Sequence, residues 1–415
     1  MKKILVLGAG SCQINLINRI KEMGHYVIAS GYNINAPGKK IANEALLADT
    51  FSYEENLENA KEYNVDAIVT SGTDQPVLTV SKVAKKLELI SFLDELTAFN
   101  VTNKKMMKKI FAENNIKAVN YKIIKKDFKI DDLSDLNEPI VIKPLDSQGQ
   151  RGIFKLKSKK EIINYIDKTL KYSRTEEVLI EEFYENKELT VTGWVDNGNV
   201  KILTVTDRVT FESELNIGIC KSHEYPSIHL EKYRKEIFDI TKKICDAFKI
   251  KEGPIYFQYL VGDEGILVNE IACRIGGAYE DISIPYVTGV DILKMLIEGS
   301  LNENYNKEIL RNYKYDDTKM CLSTQLFFCK KGKIKHMTKK EDLLKKDYIL
   351  DIGYNYKIGD TVIEKENASQ RAGYVIIKGK NEEEIEKNIE KTFDIMKFEN
   401  EKSENMIIRG KRWYR

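Results

Sequence analysis

Residues 257–277 read FQYLVGDEGILVNEIACRIGG. Two apolar runs flank the turn Gly262-Asp263-Glu264-Gly265, the pattern of a β-hairpin. Gln258 and Glu270 can then face each other across the ladder. Two oxygen donors so placed suit Mg²⁺, which takes few protein ligands and keeps waters and substrate phosphates in its shell. Arg274 follows Glu270 by four residues, where its planar fork can meet anionic oxygens. A surface hairpin with ordinary charges would read the same way, so the stretch needs support from elsewhere in the chain.

That support lies upstream. Residues 139–156, PIVIKPLDSQGQRGIFKL, place Lys143 on a strand that runs into a Ser147-Gln148-Gly149 turn and a second strand near Gly152. Lysine can meet a phosphate as a point charge, and backbone N–H groups around the two glycines can close over phosphate oxygens. Taken alone, an ordinary hairpin with a surface lysine is as good a reading. Residues 178–189, VLIEEFYENKEL, then set Glu181 and Glu182 directly after a buried-looking strand. Acids there can hydrogen-bond a base amine and ribose hydroxyls, although a charged strand end is the simpler reading of that stretch by itself.

The chain opens MKKILVLGAGSCQINLI, a strand, a glycine turn and a helix. In a dinucleotide fingerprint G-x-G-x-x-G the third glycine lets helix and strand pack closely, and an acid ~20 residues on holds the ribose. Here Gln13 stands at the third glycine, and the second strand ends IASGYNINAPG with no acid close by. The turn is therefore read as holding no nicotinamide cofactor. Gly38-Lys39 is no phosphate loop either, since Asn33 replaces the glycine five residues upstream and Lys40 is neither Ser nor Thr. To about residue 98 the chain alternates strand and helix, which implies a parallel sheet covered on both faces. Gly24 is placed to end the first helix, and Pro76 sits where a first helical turn tolerates it.

Beyond that point strands dominate. TNKKMMKKIFAENN (102–115) reads as a helix capped by Thr102, and Ser158 with Glu161 has capping-box spacing. A hairpin turns at residues 196–199, and a long helix follows over 230–248. The last hundred residues, with TQLFFCKKGKIKHM, RAGYVIIKG and the helical NEEEIEKNIEKTFDIM, read as a smaller α+β unit.

With 415 residues the chain should hold about two to four domains, at ~100–200 residues each. Lys+Arg at 66 against Asp+Glu at 64 leaves a net charge of +2, so no electrostatic ground exists for a nucleic-acid partner. The basic end RGKRWYR is local. No apolar run approaches the ~18 residues of a membrane span, and the N-terminus lacks the longer apolar region of a signal peptide. None of the six cysteines forms C-x-x-C, and the four histidines are scattered. A reduced, soluble, cytoplasmic protein is expected.

Lysine, glycine loop, paired acids, metal carboxylate and arginine occur in this order over residues 104–277. The series resembles the ATP-grasp superfamily of carboxylate–amine ligases, closest to the branch of carbamoyl-phosphate synthetase arms, biotin carboxylase and bacterial amino-acid ligases. The resemblance covers nearly the whole chain. It implies an α/β protein: a Rossmann-like pre-ATP-grasp domain (1–98), a two-lobed α+β ATP-grasp domain (99–310, lid lobe about 118–182) and a small C-terminal α+β domain (311–415). It implies ATP and Mg²⁺ as cofactors, with Mn²⁺ able to substitute. Lys104, with Lys105 as the alternative register, and Lys143 match the phosphate lysines. Residues 146–152, with Ser147, Gln148, Gly149 and Gly152, match the glycine loop. Glu181, Glu182 and Phe183 match the adenine hinge, and Glu188 the ribose carboxylate. Gln258 and Glu270 match metal ligands, and Arg274 the catalytic arginine. Arg208, His223, Gly276 and Gly277 are candidate substrate contacts.

The implied reaction joins a small-molecule carboxylate to an amine through an acyl phosphate. A bicarbonate-activating carboxylase or carbamoyl-phosphate-synthetase-like enzyme and a non-catalytic ATP-binding module stay open as alternatives. The implied assembly leaves room for a homodimer. One departure stands out. The family usually reads E-x-N-P-R, with the Asn a further metal ligand, and here Ala272 takes that place. Strict alternation along the strand turns Asn269 to the face opposite Glu270, so Asn269 is not expected to substitute.

Overall fold

The computed structural model describes all residues except 212–216, 304, 306, 316–319, 364–367 and 409–415, together with the side chain at 369. The basic end RGKRWYR therefore lies outside the described residues.

The N-terminal part is a four-stranded sheet. Its strands β1 (Lys3–Leu7), β2 (Tyr26–Gly31), β3 (Glu44–Leu47) and β4 (Ala67–Val69) lie in the order β3-β2-β1-β4. All pairs are parallel. Ile4 and Val6 feed the core on one face, and Leu5 and Leu7 the core on the other. A strand buried on both faces reads as a continuous apolar run, which is what KILVL is. Helices α1 (Ile14–Glu22) and α2 (Tyr53–Glu62) provide crossovers, α3 (Gln75–Lys86) follows β4, and Gly24 takes φ +80° just past α1.

Two short helices lead out of this sheet, α4 (Glu95–Thr102) and α5 (Lys104–Glu113). Thr102 does not cap α5. It closes α4, its hydroxyl donating to the Ala98 carbonyl at 2.8 Å. Asn103, with extended backbone between the two helices, is the cap, its Oδ1 accepting from the Met106 N–H at 3.1 Å.

The next lobe is a small antiparallel sheet of β5 (Tyr121–Ile124), β6 (Ile140–Pro144), β7 (Phe154–Leu156) and β8 (Val178–Glu182), ordered β5-β8-β6-β7. Helix α6 (Ile162–Leu170) packs on it through Ile162 and Ile166. The expected capping box at Ser158 does not form. A 3-10 turn over Lys159–Glu161 precedes α6, and the Ser158 hydroxyl meets the Glu161 carboxylate rather than a helix N–H.

The largest sheet is built from β9 (Lys187–Asp196), β10 (Asn199–Thr210), β11 (Cys220–Tyr225), β12 (Gly253–Gly262) and β13 (Gly265–Ala272). It runs β13-β12-β9-β10-β11 and continues without a break into β14 (Cys321–Cys329) and the strands Gly373–Gly379 and Ile349–Tyr354. The expected boundary near 311 thus falls within one shared sheet, joined where β11 pairs with β14. The β9–β10 turn uses Asn197 (φ +50°) and Gly198 (φ +78°), the left-handed pair that a tight hairpin requires. Helix α7 (Leu230–Ala247) covers one face, with Ile237, Ile244 and Phe248 packed among Leu189, Val191 and Phe257. Helices α8 (Glu280–Thr288) and α9 (Ile292–Ser300) follow β13 and pack towards the first sheet.

Candidate active site

Helix α5 turns two lysines inward one turn apart, as i and i+4 positions must. Lys104 Nζ lies 2.8 Å from Glu270 Oε1 and donates to the Ser147 carbonyl at 2.8 Å. Lys108 Nζ lies 2.5 Å from Glu181 Oε1, and the other Glu181 oxygen lies 2.5 Å from Lys143 Nζ. Lys105 points outward to Glu177 at 2.7 Å, so Lys104 is the inward lysine of the two registers. Lys108 did not stand out in the sequence, although its spacing from Lys104 on an amphipathic helix was the available signal.

Burial alone would raise the Glu181 carboxyl, but Lys108 and Lys143 outweigh it and bring it down to about 2. Glu270 follows the same pattern: burial would raise it, and Lys104 with other cations holds it below the usual range. Both acids are therefore ionised at neutral pH.

Gln258 and Glu270 are direct partners across β12 and β13, as the hairpin reading required. The reading of Asn269 needs correction. The ladder shifts between Gln258 and Tyr259, whose partners are Glu270 and Val268, so Asn269 is the extra residue of a β-bulge. A bulge breaks strict alternation. Asn269 Oδ1 accepts from Lys143 Nζ at 3.3 Å and so joins Glu270 on the side of the inward lysines. Among the described residues no group of three His, Cys, Asp or Glu could hold a metal. Gln258, Asn269 and Glu270 nevertheless form an oxygen set that fits a Mg²⁺ completed by phosphates and water.

Arg274 reaches across to the first domain. Its Nε and Nη2 donate to the two carboxylate oxygens of Asp74 at 2.7 and 3.1 Å, and its guanidinium lies 4.6 Å from the Tyr256 ring centre. Asp74 stands at the N-cap position of α3 yet makes no side-chain cap bond, because its carboxylate is used by Arg274. The same N-terminal loop touches the glycine loop, where the Asp74 N–H donates to Gln148 Oε1. Gly149, Gln150 and Gly152 all have positive φ. A Cβ at Gly152 would also crowd Tyr172, and one at Gly277 would come within 2.4 Å of the Gly72 carbonyl. Gly276 is pressed on the Glu280 carboxylate, so these two glycines let the Arg274 loop pack closely. Gln13 closes the first turn, accepting from the Gly10 N–H at 2.8 Å and donating to the Ser71 carbonyl at 2.6 Å.

At the end of β8 the N–H groups of Glu182 and Phe183 are already donated to Asn120 and Pro139 carbonyls. The Glu182 carboxylate holds Asn120 and Asn137, and Lys155 sits 3.3 Å from the Phe183 ring centre. With Glu181 spent on lysines, carbonyl oxygens rather than these side chains are left for a base at this strand end. Glu188 and Arg208 are cross-strand partners and form an ion pair, and Arg208 is in turn opposite His223. His223 is buried; burial, then Arg208 and Arg371, push its pKa well below the usual value, so the ring is neutral. Its Nδ1 lies 3.0 Å from the Thr206 hydroxyl.

One cavity of about 620 Å³ is lined by the Gly8–Gln13 turn, Asp74, the glycine loop, Arg208, His223, Gln258, Glu270 and Arg274. A family model described as an ATP-grasp domain matches residues 136–281, the lid strands through the Arg274 loop. The chain carries an ATP-grasp domain. A second model, L-amino acid ligase C-terminal domain 2, matches residues 325–401. Phosphoribosylamine–glycine ligase of Methanocaldococcus jannaschii is 25% identical over 311 residues, spanning 66% of this chain and 67% of that enzyme. The crystal structure of an L-amino acid ligase from Bacillus licheniformis has the same fold, with a TM-score of 0.80 over 97% of this chain and 99% of that one at 16% identity. The biotin carboxylase domain of Hydrogenobacter thermophilus 2-oxoglutarate carboxylase, solved with MgADP, ADP and bicarbonate, gives a TM-score of 0.77 over 96% and 90% at 17% identity. Its relatives are ATP-grasp ligases, and ATP-grasp enzymes use ATP with Mg²⁺. No described helix is long and apolar enough to cross a membrane.

Proposed function

We propose that this protein joins a carboxylate to an amine at the expense of ATP. The carboxylate oxygen attacks the γ-phosphorus of ATP and ADP leaves. The amine then attacks the carbonyl carbon of the acyl phosphate, phosphate leaves, and the amine nitrogen gives up a proton. One observation carries this reading: Glu270, paired with Lys104, and Arg274, paired with Asp74, line one cavity, and Lys143 meets Asn269 beside Glu270. The match of residues 325–401 to an L-amino acid ligase domain favours amide formation over bicarbonate chemistry.

The chain's own residues do positional and electrostatic work, which is most of what phosphoryl transfer needs. Lys104 and Lys143 exchange their present carboxylates for phosphate oxygens. Lys108 stays on Glu181 and keeps that buried charge paired when Lys143 leaves. Gln258, Asn269 and Glu270 would hold Mg²⁺, which neutralises phosphate charge. Arg274, oriented by both oxygens of Asp74, offers N–H groups to charge that develops at the acyl phosphate. The glycine loop and lid lobe cover the site and keep water from the intermediate. The lid already rests on the first domain, where the Arg174 guanidinium lies 3.2 Å from the Phe51 ring centre and 3.2 Å from Asp49 Oδ2. A reduced, cytoplasmic setting fits the six free cysteines.

The test is incubation with ATP, Mg²⁺ and pairs of amino acids, with phosphate and amide measured together. Equal amounts of ADP, phosphate and amide are expected. ATP binding with no amide from any pair, or turnover that needs only bicarbonate, would overturn the reading.

A further inference from the structure

A second cavity of about 210 Å³ lies beside the first and meets it at Asp74, Gln75, Gln148 and Glu270. Its walls come from the first domain, with Phe51 and Thr79, from Lys104 on α5, and from the lobe of β5–β8, with Ser147, Arg174 and Thr175. The side chains of Lys104 and Glu270 are only 11% and 27% exposed, whereas that of Arg174 is 48% exposed. The chamber therefore runs inward from Arg174 at the surface to Lys104 and Glu270 on the phosphate side.

The outer wall of the chamber is a clasp between the lobe and the first domain. The Arg174 guanidinium lies 3.2 Å from the Phe51 ring centre, and its Nη2 lies 3.2 Å from Asp49 Oδ2. On the first-domain side, Asp49 Oδ1 accepts from the Phe51 N–H at 3.0 Å, and the Asp49 N–H donates to Glu55 Oε2 at 2.9 Å. Ring and carboxylate are thus held together as one receptor. On the lobe side, Asp146 opens the glycine loop and accepts from the Ser173 hydroxyl at 2.7 Å and from the Arg174 N–H at 3.0 Å. The glycine loop and Arg174 therefore move as one piece. A half-exposed ion pair and a single cation–π contact are each weak. Such a clasp can open and shut in every turnover while still biasing the lobe towards the shut position.

Water that reaches an acyl phosphate displaces phosphate and returns the free carboxylate with a proton, so ATP is spent and no amide forms. The chamber is a route for that water, and the clasp closes it. We propose that Arg174, docked on Phe51 and Asp49, selects amine over water as the acceptor of the acyl group. Arg174 touches no reacting atom. It is a positioning residue that acts through Asp146 and the glycine loop. This rests on the ligation reading above and adds that the first domain, and not the lobe alone, keeps the intermediate dry.

The experiment measures phosphate and amide together at saturating ATP and carboxylate, for wild type, Arg174→Ala, Arg174→Lys and Phe51→Ala. The readout is phosphate released in excess of amide. Arg174→Ala should raise that excess about 10-fold at fixed amine, while the rate of amide formation at saturating amine changes less than about 3-fold. The excess should need the carboxylate and should shrink as the amine concentration rises, because water and amine compete for one intermediate. Phe51→Ala should act alike, and combining it with Arg174→Ala should add little, since both remove the same contact. Arg174→Lys should recover part of the effect, because it keeps the charge and loses the planar stack. An unchanged excess in Arg174→Ala, or an excess that persists without the carboxylate, would overturn the assignment and leave ligation standing. No amide from wild type with any amine would remove the ligation reading itself, and this inference with it. Should Phe51→Ala fail to fold, the two variants at half-exposed Arg174 decide alone.

Discussion

Arg274 and Asp74 stand 200 residues apart in sequence and meet in a two-bond carboxylate–guanidinium pair at 2.7 and 3.1 Å. The pair ties the parallel sheet of the first domain to the loop that follows the β12–β13 hairpin. Arg274 is mostly buried, so its orientation depends on this partner. If it acts on charge that develops during transfer, Arg274→Ala should lower kcat far more than it weakens ATP binding. Asp74→Asn should lower kcat in the same direction by about 10-fold or more. The double variant should lose little beyond Arg274→Ala alone, because the two side chains act as one unit. Steady-state kinetics with nucleotide titration check this. Collapse of ATP affinity with kcat intact would make Arg274 an anchor for bound nucleotide instead.

The lysines around Glu181 should separate binding from stability. Lys143 is the more exposed, at 14% against 3% for Lys108. Lys143→Ala should weaken ATP binding by at least ~10-fold, the equivalent of ~1.4 kcal/mol, with a modest change in unfolding free energy. Lys108→Met should behave in the opposite sense. Removing one partner of a buried pair costs ~3–5 kcal/mol, and the lower end is expected because Glu181 keeps Lys143. Denaturant unfolding and nucleotide titration on both variants give the comparison.

The bulge at Asn269 changes what is expected of the metal. Asn269→Ala should raise the Mg²⁺ concentration needed for half-maximal turnover several-fold, by removing an oxygen that faces the lysine side. Ala272→Asn should have a smaller effect, because the bulge has already supplied an amide oxygen. Mg²⁺ titrations at fixed ATP decide. A large improvement from Ala272→Asn with no effect of Asn269→Ala would show that Asn269 serves only Lys143.

Asp281 gives the protein a pH signature. Burial, with the nearby Glu280, raises its carboxyl from 3.8 to about 7, against the hydrogen bond from Asn15 at 2.7 Å. A folded-state pKa above the unfolded value means the native state holds a proton that the unfolded chain has lost. Stability conferred by this group is therefore full below about pH 4 and falls as pH rises to about 7. Asp281→Asn should flatten the melting temperature across that window and raise it most at neutral pH. An unchanged pH profile would place the titration elsewhere.

How much of this was legible in the sequence differs by element. KILVL announced a strand buried on both sides, and Gln13 excluded the dinucleotide fingerprint; its side chain is now seen filling the turn. The pairing of Gln258 with Glu270 followed from two apolar runs and a short turn. Asn269 did not follow, because a bulge is a shift of one residue that periodicity assumes away. Thr102 and Asn103 are equally good caps on paper, and only the preceding helix decides between them. Asp74 and Arg174 carried no local signal at all, since their partners lie 200 and 125 residues away in sequence. The continuation of the central sheet into β14 was hidden for the same reason, as strand order is a long-range property.

The central claim is transfer of a phosphoryl group to a carboxylate, followed by attack of an amine. It is tested most directly with a carboxylate substrate labelled with ¹⁸O in both oxygens, after turnover with ATP, Mg²⁺ and amine. An acyl phosphate requires one labelled oxygen to leave in inorganic phosphate and the other to stay in the amide carbonyl, with ADP as the nucleotide product. Label found in AMP would mean an acyl adenylate, and phosphate free of label would mean that ATP hydrolysis is not coupled to the carboxylate; either result contradicts the account.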